Sequence, residues 1–155
     1  MKSQRTTLIN PIDVQEVWYH VDAEGQVVGR LSARIAQLVR GKMNTTFAQN
    51  INPKIHVVIT NADKVVFTGR KWSLKTYYRH SGWRTGIKAT TATKMLETKP
   101  TEILRKAIYG MLPKGPLGTI LNKNVRIYAG AEHPHEAQNP QPLPISTRTA
   151  IASSE

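Results

Sequence analysis

Between Lys64 and Lys94 the chain carries eight Lys or Arg and no Asp or Glu. The middle of this stretch runs Arg70, Lys71, Trp72, Lys75, Tyr77, Tyr78, Arg79, His80, Trp83, Arg84, with Lys88 just beyond. Like charges repel, so a solvated surface ordinarily mixes signs. A one-sign run interleaved with large rings suits a polyanion that offers both phosphates and flat bases. Unpaired RNA bases are free to stack, which favours RNA over duplex DNA. Arg can fork onto a phosphate or lie on a base, whereas Lys supplies mainly charge. Tyr78 and Trp83 are the stacking candidates. His80 sits between Arg79 and Ser81 and reads as a hydrogen-bonding or stacking ring rather than an acid–base catalyst. Two further sites present cations. Arg40-Gly41-Lys42 falls at a predicted helix end, where positive charge also complements the helix dipole. Lys114 sits on a stiff Pro-Lys-Gly-Pro turn.

Other chemistry is poorly supported. Cysteine is absent, which removes disulfides, thiolate metal sites and a cysteine nucleophile. His133-Pro134-His135 offers two ligands, too few for a zinc site, so no metal is expected. Gly25-Gln26-Val27-Val28-Gly29-Arg30 follows a predicted strand and opens a helix, but lacks the spacing of a dinucleotide or phosphate loop. No catalytic set and no cofactor is expected. A nucleotide-dependent enzyme acting on RNA and a basic protein–protein adaptor are the two alternatives to an RNA-binding structural protein.

These residues need a scaffold. The chain has 155 residues and a formal net charge of +12, enough for one domain with a core. Charge is uneven: residues 1–130 hold 21 Lys and Arg against 7 acids, and residues 131–155 hold Arg148 against Glu132, Glu136 and Glu155. No apolar run approaches the roughly 18 residues of a membrane helix, and no membrane partner or small-molecule substrate is expected. The basic start is too short to read as a transit peptide.

Trp18–Asp22 reads as a strand. Leu31, Ile35, Leu38 and Val39 then form one apolar helical stripe that stops at Gly41. Ile55–Thr60 is a near-continuous apolar run, as expected of a strand covered on both faces. Lys64–Thr68 reads as a further strand, and the basic segment as part strand and part loop broken at Gly82 and Gly86. Trp72 and Tyr77 are candidates for the core. Thr90 or Thr91 caps a short helix, a second begins by Thr101 and stops at Pro113, Gly115–Gly118 makes a tight connection, and Asn124–Ala129 is the last strand. The alternation predicts a three-layer α/β single domain with a mainly parallel central sheet. Residues 1–16 form an N-terminal extension, 17–130 the core domain and 131–155 an extended Pro-rich tail without a core of its own.

Several strings now fall in a shared order: Trp18-Tyr19-His20-Val21-Asp22-Ala23, Gly29-Arg30-Leu31, Arg40-Gly41-Lys42, Asn61-Ala62-Asp63-Lys64, Thr68-Gly69-Arg70-Lys71, Tyr77-Tyr78-Arg79-His80-Ser81-Gly82, Gly110–Gly118 and Tyr128–His135. Together they resemble the large-subunit ribosomal protein L thirteen family of bacterial or organellar type, over about Trp18 to Gln141. The resemblance implies a non-catalytic protein bound to large-subunit ribosomal RNA beside neighbouring large-subunit proteins, joining the particle early in assembly. It also implies that the segments around Tyr77–Lys88 and Gly110–Gly118 lie against RNA. The sequence departs from the family at Phe47–Lys54, where the usual acids are missing, at Thr85-Gly86, at Thr119 and beyond Pro142. These departures favour an organellar ribosome, mitochondrial before plastid, with the bacterial cytoplasm as the alternative.

Overall fold

The computed structural model describes residue 10 and residues 14–45 and 47–143. The basic start and the end of the tail, with Arg148, lie outside them. The central sheet has four strands in the order β5-β2-β1-β6: β1 (Val17–Asp22), β2 (Ile55–Thr60), β5 (Val125–Ile127) and β6 (Gln141–Pro142). Every pairing in it is parallel. Val17 to Asp22 face Ile55 to Thr60, Val57 to Ile59 face Val125 to Ile127, and Tyr19 and His20 face Gln141 and Pro142. The expected α/β fold with its parallel sheet is therefore present. The composition of β2 explains its central place. Ile55, Val57, Val58 and Ile59 are all buried, as a strand covered on both faces requires.

Helices cover one face. In α1 (Val28–Val39), Val28, Leu31, Ile35, Ala36, Leu38 and Val39 are buried. They share a core with Ile103, Leu104 and Ile108 of α4 (Pro100–Met111), Leu121 of α5 (Pro116–Lys123), and Val21, Val57, Ile59, Val125 and Ile127 of the sheet. Alternation along the strands sends Trp18, His20, His56 and Thr60 to the opposite face. There a layer of rings closes the sheet. Trp18 stacks on His56 at 4.5 Å between centroids, His135 tilts against Trp18 at 5.3 Å, and His133 meets His20 at 5.2 Å. The Tyr128 hydroxyl lies 2.8 Å from His135 Nε2, and His20 Nε2 lies 3.0 Å from Thr60 Oγ1. Helices, sheet and the segment after Gly130 make the three layers.

Three local expectations are corrected. Lys64–Thr68 is not a strand. A 3-10 turn at Ala62–Lys64 precedes a one-residue parallel bridge between Val66 and Val27. Beside it runs the short connection into α1, where Val66 N–H donates to Gln26 and Val28 N–H donates to Val66. Val65 and Phe67 still enter the core. Gly115–Gly118 does not merely connect, because Pro116 starts α5. Proline at the first helical position loses no intrahelical hydrogen bond. Finally, the Pro-rich segment joins the sheet edge through β6. Leu143 N–H donates to His20 at 2.9 Å, and the Leu143 side chain packs on the core. Proline is tolerated on such an edge.

Two outcomes follow from this packing. A Cβ on buried Gly118 would collide with the Pro113 carbonyl, so Gly118→Ala should cost about 1–3 kcal/mol, read by chemical denaturation. The ring layer should be sensitive to acid. Burial, helped by nearby His133 and opposed by Asp22, lowers the pKa of His20 below 6.5. Burial also lowers that of His56, with Glu16 opposing and Arg126 and His135 assisting. A folded value below the unfolded one means that the unfolded chain binds more protons. Stability is then full above about pH 6.5 and falls as pH drops through the window below it. Exchange of the Leu143 amide hydrogen should accelerate, relative to its intrinsic rate, between about pH 7.5 and pH 5.5.

Candidate nucleic-acid interface

The basic segment folds as a helical turn and a hairpin. Arg70 precedes α2 (Lys71–Leu74), and its carbonyl accepts from Leu74 N–H and from Ser73 Oγ at 3.1 Å each. β3 (Thr76–His80) then pairs antiparallel with β4 (Ile87–Thr91), with Tyr78 opposite Ala89 and Arg79 opposite Lys88. Gly82, at φ +90, lets the chain reverse at the tip. Ser81 N–H donates to Gly86 at 2.9 Å, Gly86 N–H donates to Trp83 at 3.0 Å, and Gly82 N–H donates to His80 Nδ1 at 2.9 Å. The His80 ring therefore acts first as a brace for the tip. Thr91 then caps α3 (Ala92–Thr98), accepting from Lys94 N–H.

The alternation of β3 gives the hairpin two different faces. Tyr77 turns inward, half-buried against the core, as does Trp72, which meets Phe67 edge-on at 4.8 Å. Arg79 and Lys88 share the Tyr77 face and look across a groove of about 560 Å³ toward Lys99 and Lys106 of the α3–α4 region. Glu102 is the one acid in that groove, and it pairs with Arg105 at 3.3 Å. The other face presents Tyr78 and Ile87, which are exposed, and Tyr78 OH accepts from Thr76 Oγ1 at 3.3 Å. Trp83 at the tip is 78% exposed, so its ring is available for stacking. A second groove, beside α2, is lined by Arg70, Lys71 and Lys75.

Among the described residues the ion pairs are Lys64–Glu24 and Arg105–Glu102, joined by a His56–Glu16 contact that is ionic only when His56 is protonated. None involves Arg70, Lys71, Lys75, Arg79, Arg84 or Lys88. Instead, the Lys71 ammonium donates to Thr68 Oγ1 at 3.1 Å, and the Lys75 and Lys106 ammoniums lie over the Tyr77 ring at 5.3 and 5.4 Å. Such contacts orient a cation without neutralising it.

The fold brings together nine of the twelve residues singled out from the sequence and leaves three elsewhere. Arg40 and Lys42 stand at the far end of α1, about 18 Å along its axis. The half-buried Arg40 guanidinium faces the Phe47 ring at 5.9 Å, while Lys42 is exposed. Lys114 lies past the end of α4, its ammonium 4.5 Å from the Tyr109 ring centroid. Lys99 and Lys106 were not among the candidates. No local pattern marks them, because only tertiary packing sets α4 beside Tyr77. His133 and His135 belong to the ring layer.

The ribosomal protein L13 family profile matches residues 16–134, a span that includes the hairpin, both grooves and most of the ring layer. The chain is also similar to the large ribosomal subunit protein uL13 of Psychrobacter arcticus, 48% identical over 141 residues that cover 91% of this chain and 99% of that protein. The protein of the same name from Mycoplasmopsis synoviae is 47% identical over 92% of this chain and 99% of its own length. That from Rhizobium etli is 48% identical over 88% and 89%. With the family pattern matched across the core and relatives aligned nearly end to end, this chain belongs to the ribosomal protein L13 family.

Proposed function

We propose that the protein is a structural, non-catalytic constituent of the large ribosomal subunit that binds ribosomal RNA and supports assembly beside neighbouring large-subunit proteins. The observation that carries this reading is the hairpin with its adjoining turn, whose cations have no acidic partner within the described fold. Phosphate is the counter-charge that such an array lacks. Arg70, Lys71, Lys75, Arg79, Arg84 and Lys88 take backbone phosphates, Tyr78 and Trp83 stack on bases, and His80 holds the tip in shape beside them. Lys42 and Lys114 form separate phosphate contacts, and Arg40 supports the first of these from the end of α1. In domain terms, residues 17–130 are the RNA-binding core, 1–16 an extension and 131–155 a tail whose first part straps the sheet.

The bacterial sources of the relatives support a bacterial-type ribosome in the cytoplasm over the organellar one expected from the sequence departures. The Phe47–Lys54 loop on which that expectation leaned is a local feature. Phe47, Ile51 and Pro53 line one small pocket with Arg40 and Gly41, and such packing carries no information about compartment.

Binding to large-subunit ribosomal RNA should weaken steeply with salt. Replacing Arg79 and Arg84 together by Ala should lower the slope of log K against log salt by about one per side chain. An unchanged slope would exclude the hairpin from the interface. Trp83→Ala should behave differently, costing about 1–3 kcal/mol of affinity through lost stacking while leaving the slope intact.

A further inference from the structure

On the other side of Tyr77 and Lys106 from the α3–α4 groove lies a second cavity of about 560 Å³. Its chemistry is divided. Buried Val28 and Phe67 give it an apolar floor, Lys71, Lys75 and Lys106 line it together with Arg30, and none of its lining residues is acidic. Tyr77 forms a wall and positions two of the three ammonium groups, at 5.3 and 5.4 Å from its ring. The third is tied to Thr68 Oγ1. Three ammonium side chains thus line one half-apolar hollow, with the Arg30 guanidinium as a fourth cationic group in its lining. Each raises the energy of the others, and a bound anion would relieve all three.

The hollow is too large for phosphate alone and falls within the size range of small-molecule pockets. Its floor suits a flat apolar body, and its cationic lining suits an anion. The segment Gly25–Arg30, which lacks any phosphate-loop spacing, ends at the rim. Here α1 begins without an acidic residue in its first turn or a capping side chain. A Cβ placed on Gly29 would meet nothing within 4 Å, so the helix start is open to an occupant.

We propose that this cavity binds one nucleoside monophosphate unit, with its base on the Val28–Phe67 floor and its phosphate among Lys71, Lys75 and Lys106. The unit is either an unstacked nucleotide of ribosomal RNA or a free mononucleotide. The first source rests on the RNA-binding function proposed above and the second does not. The shared wall formed by Tyr77 and Lys106 gives an RNA strand in the α3–α4 groove a short path for turning one nucleotide into the hollow.

Amine-acylation rates of individual lysines, read by mass spectrometry on the full-length protein, test this. AMP should slow acylation of Lys75 and Lys106 saturably, by about fivefold or more, at concentrations where inorganic phosphate or adenosine alone does not. Lys106→Gln should raise the AMP dissociation constant about tenfold. Ala107→Leu, which fills the cavity and keeps every charge, should abolish the protection. Absence of saturable protection by AMP, or equal protection by phosphate alone, overturns the proposal. In intact large subunits, protection that ribonuclease lifts identifies an RNA nucleotide as the occupant. Lysines that stay reactive there until AMP is added identify a free one. AMP protection in a protein that has no affinity for ribosomal RNA would refute the RNA-binding function and leave this site standing.

Discussion

The structure is organised around a repulsion that it does not resolve internally. The hairpin and its adjoining turn hold six cations, and none of the ion pairs among the described residues reaches them. Two unit charges at 4 Å repel by about 1 kcal/mol in water and by more near a low-dielectric surface. A two-stranded hairpin is marginal even without that load. It persists because Tyr77 and Trp72 anchor it to the core and because α2 and α3 flank it in sequence. The apolar interior thus serves to hold uncompensated charge in a fixed array. That arrangement is costly for a free protein and useful for one that meets phosphate.

The opposite side of the molecule solves a different problem. A parallel sheet needs cover on both faces, yet α1, α4 and α5 share a single core on one of them. Histidines, Trp18 and Tyr128 supply the other cover, and the chain after Gly130 is what brings two of those histidines into place. This explains how a segment poor in apolar residues packs at all. Flat rings stack through their faces and hydrogen-bond through their edges, so they close a half-polar surface without a second set of helices. Among the described residues Glu102 is the acid that lines the hairpin groove, and it is paired with Arg105. Glu16, Asp22 and Glu24 serve the sheet edge and its turns.

Much of this was legible in the residues. The stripe Leu31, Ile35, Leu38, Val39 and the run Ile55–Thr60 specify their elements by period and by β-branching, and both formed as read. The cation-and-ring segment was legible as a one-sign array, and the fold keeps its cations clear of the described ion pairs. The failures share one cause, which is that the neighbour decides. Val65, Val66 and Phe67 have strand chemistry, but only a few residues of backbone lie beside them, so a single bridge results. Pro116 and the pair Leu117 and Leu121, four apart, were a helix signal hidden behind the glycines of the turn. Gln141-Pro142 has no strand character alone and becomes one by pairing with an open edge. Lys106 joins the candidate site only because α4 packs beside the hairpin, which no periodicity encodes. The organellar expectation was a weaker kind of inference, drawn from absent loop acids, and the bacterial relatives favour the alternative.

Phosphate is the counter-charge that the proposed RNA-binding function requires. The most direct measurement is a cryo-EM map of the native large subunit at side-chain resolution. Most of Arg70, Lys71, Lys75, Arg79, Arg84 and Lys88 should lie within about 4 Å of ribosomal RNA phosphates, with Trp83 against a base. A hairpin facing bulk solvent, or seated on an acidic protein surface, would contradict it.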